Sequence, residues 1–575
     1  MKMKMLGVSV LALNLATGVT YAATPTSPPA HSQLLIRNAV IYDGSGGDPF
    51  RGDIAVDGDR IIATGRLPAM TAEKVIDAKG LAVAPGFINV LSHAYDSMIY
   101  DGRALSDIKQ GITLEILGEG ESQGPLTEAM RAEMQKRQAD IQYEITWTTL
   151  GEYLDLMVKK GVSPNIASFV GAATVRAHVL GLDDKTPTRE ELARMQEIVR
   201  AAMREGALGV GSALVYNPGT YAKTEELIAL ARAAGEYGGG YISHIRNESD
   251  QLLEAIDEMI AITRAAQVHG EIHHLKAAGR KNWPKMRAAI DKIEAARATG
   301  LALTANMYAY DASATGLNAT MPPWVQEGGI DAWVARLKQP EIRKRVIAEM
   351  RTPSTQWENS LLNVSSPAGI VLVGFKSDKL KPLTGKTLAE VSKLRSTSPE
   401  DTIIDLVIED HNDVLAAYFD MSEDNVRLGL SQPWVSLETD EAAVAPEGLF
   451  LKRSSHPRAY GSFARFLGKY VRDEKAVSLS DAIRRLTRLP ARNWKLRDRG
   501  CLDPGCHADI VIFDPATIAD RATFAKPSVF ATGVVHVFVN GMQVLENGEH
   551  TNARPGQVVR GPGWQAPAPA RTSSR

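Results

Sequence analysis

Three histidines and two carboxylates stand where short apolar runs end. His93 follows one such run in NVLSHAYDS and Glu119 follows another in EILGEGES; His244 ends GYISH, His274 lies in EIHHLKAAG, and Asp440 follows a last run in VSLETDEAA. Imidazole nitrogen and carboxylate oxygen suit Zn²⁺ or a similar divalent ion, held by three protein ligands with one position open. Such an ion lowers the pKa of its water to about 7. A neighbouring carboxylate can then take the water's proton and return it to a leaving group. The pattern predicts a metal-dependent hydrolase, with Glu119, His244, His274 and His93 as candidate ligands and Asp440 as the acid–base group. Glu121 competes with Glu119 as the acidic ligand. His273 should point to the opposite face of its strand from His274, so one of the pair at most faces the site. A lone histidine after a strand is more often structural, and His31, His411, His536 and His550 are read that way. The joint pattern carries the argument.

The elements that must position these groups alternate. After Pro85, eight apolar runs (GFINVL, ITLEIL, IASFV, ALGVG, GYISH, EIHHL, LALTAN and PWVSL) are separated by stretches of helical period. Residues Arg189–Gly206 put Leu192, Met195, Ile198, Val199 and Ala202 on one face after a TPTREE start; Ser249–Val268 does the same with Leu252, Leu253, Ile256, Met259 and Ile260. Eight strand–helix units predict an α/β fold, a (β/α)8 TIM-like barrel over 85–499, with reactive groups where the strands end. A long stretch between the seventh and eighth strands, 322–430, reads as an inserted subdomain, a candidate lid. The runs LLIRNAVIYDG, DIAVDGDRIIATG and LAVAPG near the start and HADIVIF and VVHVFVNGMQVLENG near the end are β. They predict a small β-sandwich made from both chain ends, 34–84 plus 500–560.

The extreme ends read differently. Lys2 and Lys4 precede an apolar stretch from Met5 to about Leu15, with small residues around Thr20-Tyr21-Ala22. This is the pattern of a secretory signal peptide over 1–22, too short to span a bilayer. The expected location is periplasmic or secreted. Residues 562–575 read as a disordered tail. With 65 Lys+Arg against 67 Asp+Glu in 575 residues, there is no basic field for nucleic acid, and no further apolar run is long enough for a membrane. The two cysteines, Cys501 and Cys506, exclude a disulfide scaffold and a Cys-rich zinc module; they fit either a disulfide or two free thiols. DGSGGDP at Asp43–Pro49 lacks the lysine of a phosphate loop and reads as a hairpin turn. No G-x-S-x-G elbow occurs. Cys506-His507 opens a strand away from the barrel mouth and reads as structural.

PGFINVLSHAYD, GALGVGSALVYNPGTYAKTEEL, GYISHIRNE, IHHLKAAG, SSHPRAYGSFARFLGKYV and GCHADIVIFDP together resemble the N-acyl-D-amino-acid deacylase (D-aminoacylase) branch of the amidohydrolase superfamily. The resemblance spans nearly the whole mature chain. It implies a metal-bearing barrel, a β-sandwich from both ends, a late insertion, and hydrolysis of an N-acyl or peptide-like amide beside a D-amino-acid carboxylate. It also implies that His244 and His274 hold the tight metal, that Asp440 is the catalytic aspartate, and that Lys276, Tyr308 and Arg458 engage the substrate's carboxylate. Fixed cations suit that last role, and arginine grips a carboxylate in bidentate fashion.

Three departures from the family pattern stand out. The usual His-x-His after the first strand is Leu91 and His93 here, which favours one tightly held ion over two. A bridging cysteine is replaced by Glu119, a harder donor that makes Mn²⁺ or Fe²⁺ credible beside Zn²⁺. A serine beyond Tyr308 is Ala314, with Ser313 adjacent. Two other readings remain: an amidohydrolase acting on a D-containing dipeptide, cyclic amide or lactone, and an exported binding protein that has lost catalysis.

Overall fold

The computed structural model describes residues 30–566; the expected signal peptide lies outside them. The N-terminal strands are β1 (His31–Ile41), β2 (Phe50–Asp57), β3 (Arg60–Gly65), β4 (Thr71–Asp77) and β5 (Ala82–Pro85). The barrel strands follow: β6 (Phe87–Asn89), β7 (Ile112–Leu117), β8 (Asn165–Ser168), β9 (Val170–Gly171), β10 (Gly209–Ala213), β11 (Gly240–His244), β12 (Gly270–Ile272) and β13 (Leu303–Met307). Next come β14 (Ser313–Gly316), β15 (Ile370–Gly374) and β16 (Leu415–Tyr418), then β17 (Val435–Leu437), and last β18 (Ile510–Phe513), β19 (Val534–Val539), β20 (Met542–Glu546) and β21 (Glu549–His550).

Strands β6-β7-β8 and β9-β10-β11-β12-β13-β17 form two parallel ladders. Two seams join them into one barrel. At the first, β8 and β9 are consecutive pieces of one strand, broken at Phe169, whose N–H donates to the Leu117 carbonyl at 2.9 Å. At the second, the Asp440 N–H donates to the Leu91 carbonyl at 3.0 Å and the His93 N–H to that of Glu441 at 2.9 Å. Eight strand positions therefore close, each matching one of the apolar runs. The barrel strands are buried on both sides, which is why they read as continuous apolar runs without alternation. Helices of the expected period cover them. Helix Arg189–Glu205 starts in a capping box between Thr188 and Glu191, buries Met195, Val199 and Ala202, and ends at Gly206 with φ 104.

The insertion begins earlier than expected, and ends earlier. Strands β14, β16 and β15 form a separate antiparallel sheet, covered by helices Ile330–Leu337, Pro340–Met350, Leu388–Arg395 and Pro399–Glu409. Leu317, Trp333, Leu337, Val346, Ile370, Phe375, Ile403 and Tyr418 give it a core of its own. The sheet runs over 313–418 rather than 322–430. Helix Glu423–Leu430 belongs to the barrel, where Gly429 lies against Met286 and Met307.

Both chain ends meet in one nine-stranded sheet, ordered β21-β20-β19-β18-β5-β1-β2-β3 with β4 on β1. Leu34, Ile36, Ile54, Ile510, Ile512 and Phe538 share its core. Cys501 and Cys506 are joined in a disulfide beside it. After His550 the chain leaves the sheet and runs under the barrel, where the Val559 N–H donates to Ile166 at 2.8 Å and the Gln565 N–H to Arg204 at 2.9 Å. Residues 562–566 thus have a defined path, against the expectation of a disordered tail from 562; Gln565 anchors it to the barrel. Residues 567–575 lie outside the described chain. No helix among the described residues is long and apolar enough to cross a membrane.

Candidate active site

The strand ends bring Glu119, His244 and His274 together, with one ligand-type atom from each within 4.8 Å of the others. Glu119 Oε1 lies 3.2 Å from His244 Nδ1 and 3.0 Å from His274 Nε2. Gly118, at φ 99, makes the turn after β7 that presents Glu119; a Cβ there would press into the Phe169 carbonyl. Glu121 is exposed and outside the cluster. His93 is half-buried, with Nε2 3.0 Å from Asp440 Oδ1 and 3.8 Å from Glu119 Oε2. Leu91, two residues earlier, is fully buried and offers no donor. His273 turns away: its Nδ1 meets Asn306, and burial lowers its pKa to about 4.

Two of these residues sit in left-handed backbone, His274 at φ 34 and Asp440 at φ 51. Such conformations cost on the order of 1–3 kcal/mol in a non-glycine residue and cluster where a side chain must be aimed. The His274 N–H is held by Asn306 Oδ1 at 2.9 Å, and the Asp440 N–H closes the barrel seam. The strain is therefore fixed by neighbours on β13 and after β6.

Sequence reasoning missed Glu248. Its Oε1 lies 2.8 Å from His274 Nδ1, and its Oε2 3.5 Å from His244 Nε2 and 2.6 Å from Lys276 Nζ. Glu248 thus takes the far nitrogens of both histidines, leaving His244 Nδ1 and His274 Nε2 facing Glu119. Carboxylates in this position fix the tautomer and orientation of metal-binding imidazoles. The only hint was its place four residues after His244.

The donors fit a divalent cation: one carboxylate and two oriented imidazoles in a buried pocket that favours positive charge. Burial and Lys276 act to lower the His274 pKa, yet Glu248 and Glu119 overcome both and push it up to about 10. Burial disfavours the Glu119 carboxylate, but hydrogen bonds from His244 and His274 outweigh it and hold the acid well below its ordinary range.

Across the cavity stand the other expected groups. Arg458 Nη1 lies 2.6 Å from Asp440 Oδ2, and its guanidinium stacks over the Tyr308 ring at 4.6 Å. Lys276 approaches the same ring at 6.0 Å. The Tyr308 hydroxyl donates to Met421 Sδ at 3.2 Å. Burial opposes the Asp440 charge, but Arg458 and His93 keep it ionised far below the usual carboxylate range. Ala314 contributes only its carbonyl, 3.5 Å from Arg458 Nη2, while the Ser313 hydroxyl donates to Asp420. Strand β14 and residues 355–360 of the insertion wall a cavity of about 750 Å³ over the site. Tyr216, edge-on to His244, ties barrel to insertion through Thr315 at 2.6 Å.

The amidohydrolase family model matches residues 74–545. The chain is 31% identical over 530 residues to a D-aminoacylase of Alcaligenes xylosoxydans xylosoxydans, covering 92% of this chain and 97% of that one. It is 30% identical over 551 residues to the N-acyl-D-aspartate deacylase of the same organism, covering 94% and 97%. A crystal structure of N-acyl-D-glutamate deacylase from Bordetella bronchiseptica, complexed with zinc and a phosphonate mimic of the tetrahedral intermediate, superposes with a TM-score of 0.75 at 30% identity, covering 92% of this chain and all of that one. Closed barrel, two-ended β-domain, late insertion and strand-end donors agree with that likeness: the chain belongs to the amidohydrolase family, beside the D-aminoacylases and N-acyl-D-amino-acid deacylases.

Proposed function

We propose that this protein is an exported, metal-dependent deacylase that hydrolyses N-acyl-D-amino acids to a D-amino acid and a carboxylate. The observation that carries the reading is the joint geometry. Glu119, His244 and His274 converge, Asp440 stands beside them, and Lys276, Tyr308 and Arg458 face the same cavity. Export is supported by the N-terminal sequence and by the Cys501–Cys506 disulfide, a bond typical of oxidising compartments.

Glu119, His244 and His274 would hold one ion, with His93 at its edge; a bound divalent metal supplies Lewis acidity toward the scissile carbonyl and the attacking water. Asp440, ionised and half-ringed by His93 and Arg458, takes the water's proton and delivers it to the departing amine nitrogen. Arg458 and Lys276 bind the free carboxylate, with Tyr308 as the platform between them. Arg458 also pairs with Asp440 at 2.6 Å. An arriving carboxylate competes for that guanidinium and frees Oδ2, so occupancy of the clamp and readiness of the base are linked. Desolvated charge pairing of this kind is strong.

The test is a hydrolysis screen of N-acetyl-D- and N-acetyl-L-amino acids, D-containing dipeptides and lactones with protein reconstituted in Zn²⁺, Mn²⁺ or Co²⁺. Turnover of the N-acetyl-D-amino acids above the other classes is expected. Preferential lactone or cyclic-amide hydrolysis, or no turnover with any metal, contradicts the reading.

A further inference from the structure

Two carboxyl groups on the cavity wall have no role in metal binding or in gripping a carboxylate. Glu358, on the insertion segment after Gln356, accepts the Glu248 N–H at 2.6 Å and the Asn363 amide at 3.1 Å. Asp420, just after β16, accepts the Ser313 hydroxyl with both oxygens at 3.0 Å. Neither forms an ion pair among the described residues; the nearby ammonium, Lys276, lies 2.6 Å from Glu248 and, on the deacylase reading, is taken up by the substrate's own carboxylate. Burial first, and then the Glu248 charge, push Glu358 up to about 8, while burial pushes Asp420 up to about 6. Glu358 adjoins Lys276 through Glu248, Asp420 adjoins Arg458 through Ser313 and Ala314, and both acids line the same cavity as the clamp. They therefore flank the amino-acid end of a bound substrate, where its side chain must project, rather than the acyl end.

The cations available there are few. Arg246 is held by both oxygens of Glu258, at 2.8 and 2.9 Å, and Lys223 is exposed at the rim. A second carboxylate on the substrate would meet two acceptor-rich carboxyls, Glu358 and Asp420, with no free buried cation among the described residues to receive it. An ammonium or guanidinium would meet two carboxyls that otherwise have only neutral donors.

Building on the deacylase reading, we propose that Glu358 and Asp420 form a side-chain pocket selecting N-acyl-D-amino acids with basic side chains and excluding acidic ones. The experiment measures kcat/KM of the metal-loaded enzyme for N-acetyl-D-lysine, N-acetyl-D-arginine, N-acetyl-D-methionine, N-acetyl-D-glutamate and glycyl-D-methionine. It is repeated with Glu358→Gln and Asp420→Asn. Basic substrates should exceed N-acetyl-D-methionine about tenfold and N-acetyl-D-glutamate at least a hundredfold. Each variant should lower the basic-to-neutral ratio about tenfold, through KM. The proposal is overturned if N-acetyl-D-glutamate matches N-acetyl-D-lysine, or if the variants slow all substrates by one factor. It is also overturned if the free amine of glycyl-D-methionine gives the gain and the lysine side chain does not. Binding of the free D-amino acids by calorimetry separates this proposal from the deacylase reading. If nothing is turned over, the reaction is wrong, but D-lysine should still bind at least tenfold tighter than D-glutamate; equal binding sinks the pocket itself.

Discussion

At the scale of single residues the site is an arrangement of opposed charges, and its parts can be separated by substitution. Asp440→Asn keeps the side chain's shape and its place beside His93 but removes the proposed base. Metal content should stay near wild type while kcat falls by about 10²–10⁴; an active variant would mean that another group carries the proton. Glu248→Gln should act through the metal instead. It leaves Glu119, His244 and His274 in place but unfixes both rings, so zinc affinity measured by competition with a chelator should fall about 10–100-fold. The same residue makes a pH prediction. Burial alone would raise the Glu248 pKa, but Lys276, His244 and His274 hold it at about 2, against an ordinary 4.5. A depressed carboxylate contributes stability that is present above its unfolded value and lost as pH falls through its folded one. The melting-temperature gap between metal-free wild type and Glu248→Gln should therefore close as pH drops from 4.5 toward 2; a constant gap would contradict the ion pairing. The histidines and acids at strand ends were legible in the sequence because a barrel delivers every strand end to one mouth. Glu248, Glu358 and Asp420 were not. Their roles come from where loops fold back, which periodicity does not encode.

Among elements, the insertion is the part whose position matters most, since its β14 and residues 355–360 wall the cavity. One polar attachment to the barrel loops is Asp140, which meets Lys381 of the insertion at 2.8 Å and the barrel-loop cations Lys452 at 3.3 Å and Arg453 at 3.6 Å. Asp140→Ala leaves three cations facing one another at that seam. The expected outcome is faster hydrogen exchange in β15 and β16 and a raised KM, with metal affinity unchanged; unaltered exchange would show that the other ties, Tyr216–Thr315, Lys136–Asp331 and Arg453–Asp413 among them, suffice. Barrel strands and helices such as Arg189–Glu205 could be read directly because buried runs and capping residues are local signals. The insertion's limits could not. Strand β14 is four half-buried residues without alternation, and helix Glu423–Leu430 looks like its neighbours until its packing partners Met286 and Met307 are known.

For the whole molecule, the C-terminal β segment is tied to the floor of the barrel by a buried polar knot. Arg499 pairs with Asp509, and Asp509 accepts from Asn165 and from the Asn540 N–H. Asn540 in turn reaches Asn165 and the Pro555 carbonyl. Removing one partner of such a pair strands a buried charge, so Asp509→Ala should destabilise the protein by about 3–5 kcal/mol, seen in calorimetry as a lower melting temperature. A change under about 1 kcal/mol would mean that the knot is wetter than the geometry implies. That both ends share one sheet was foreseen from their β patterning; that 557–565 continues under the barrel was not, since a segment rich in Gly and Pro carries no periodic signal. The whole construction brings donors from the ends of β7, β11 and β12 to one point, where the proposed ion would sit. The most direct test is anomalous diffraction from crystals of the zinc-reconstituted protein. The expected result is one full-occupancy peak within bonding distance, about 2.0–2.2 Å, of Glu119, His244 Nδ1 and His274 Nε2, with Asp440 facing its open side. A peak elsewhere, or none at that position, would contradict it.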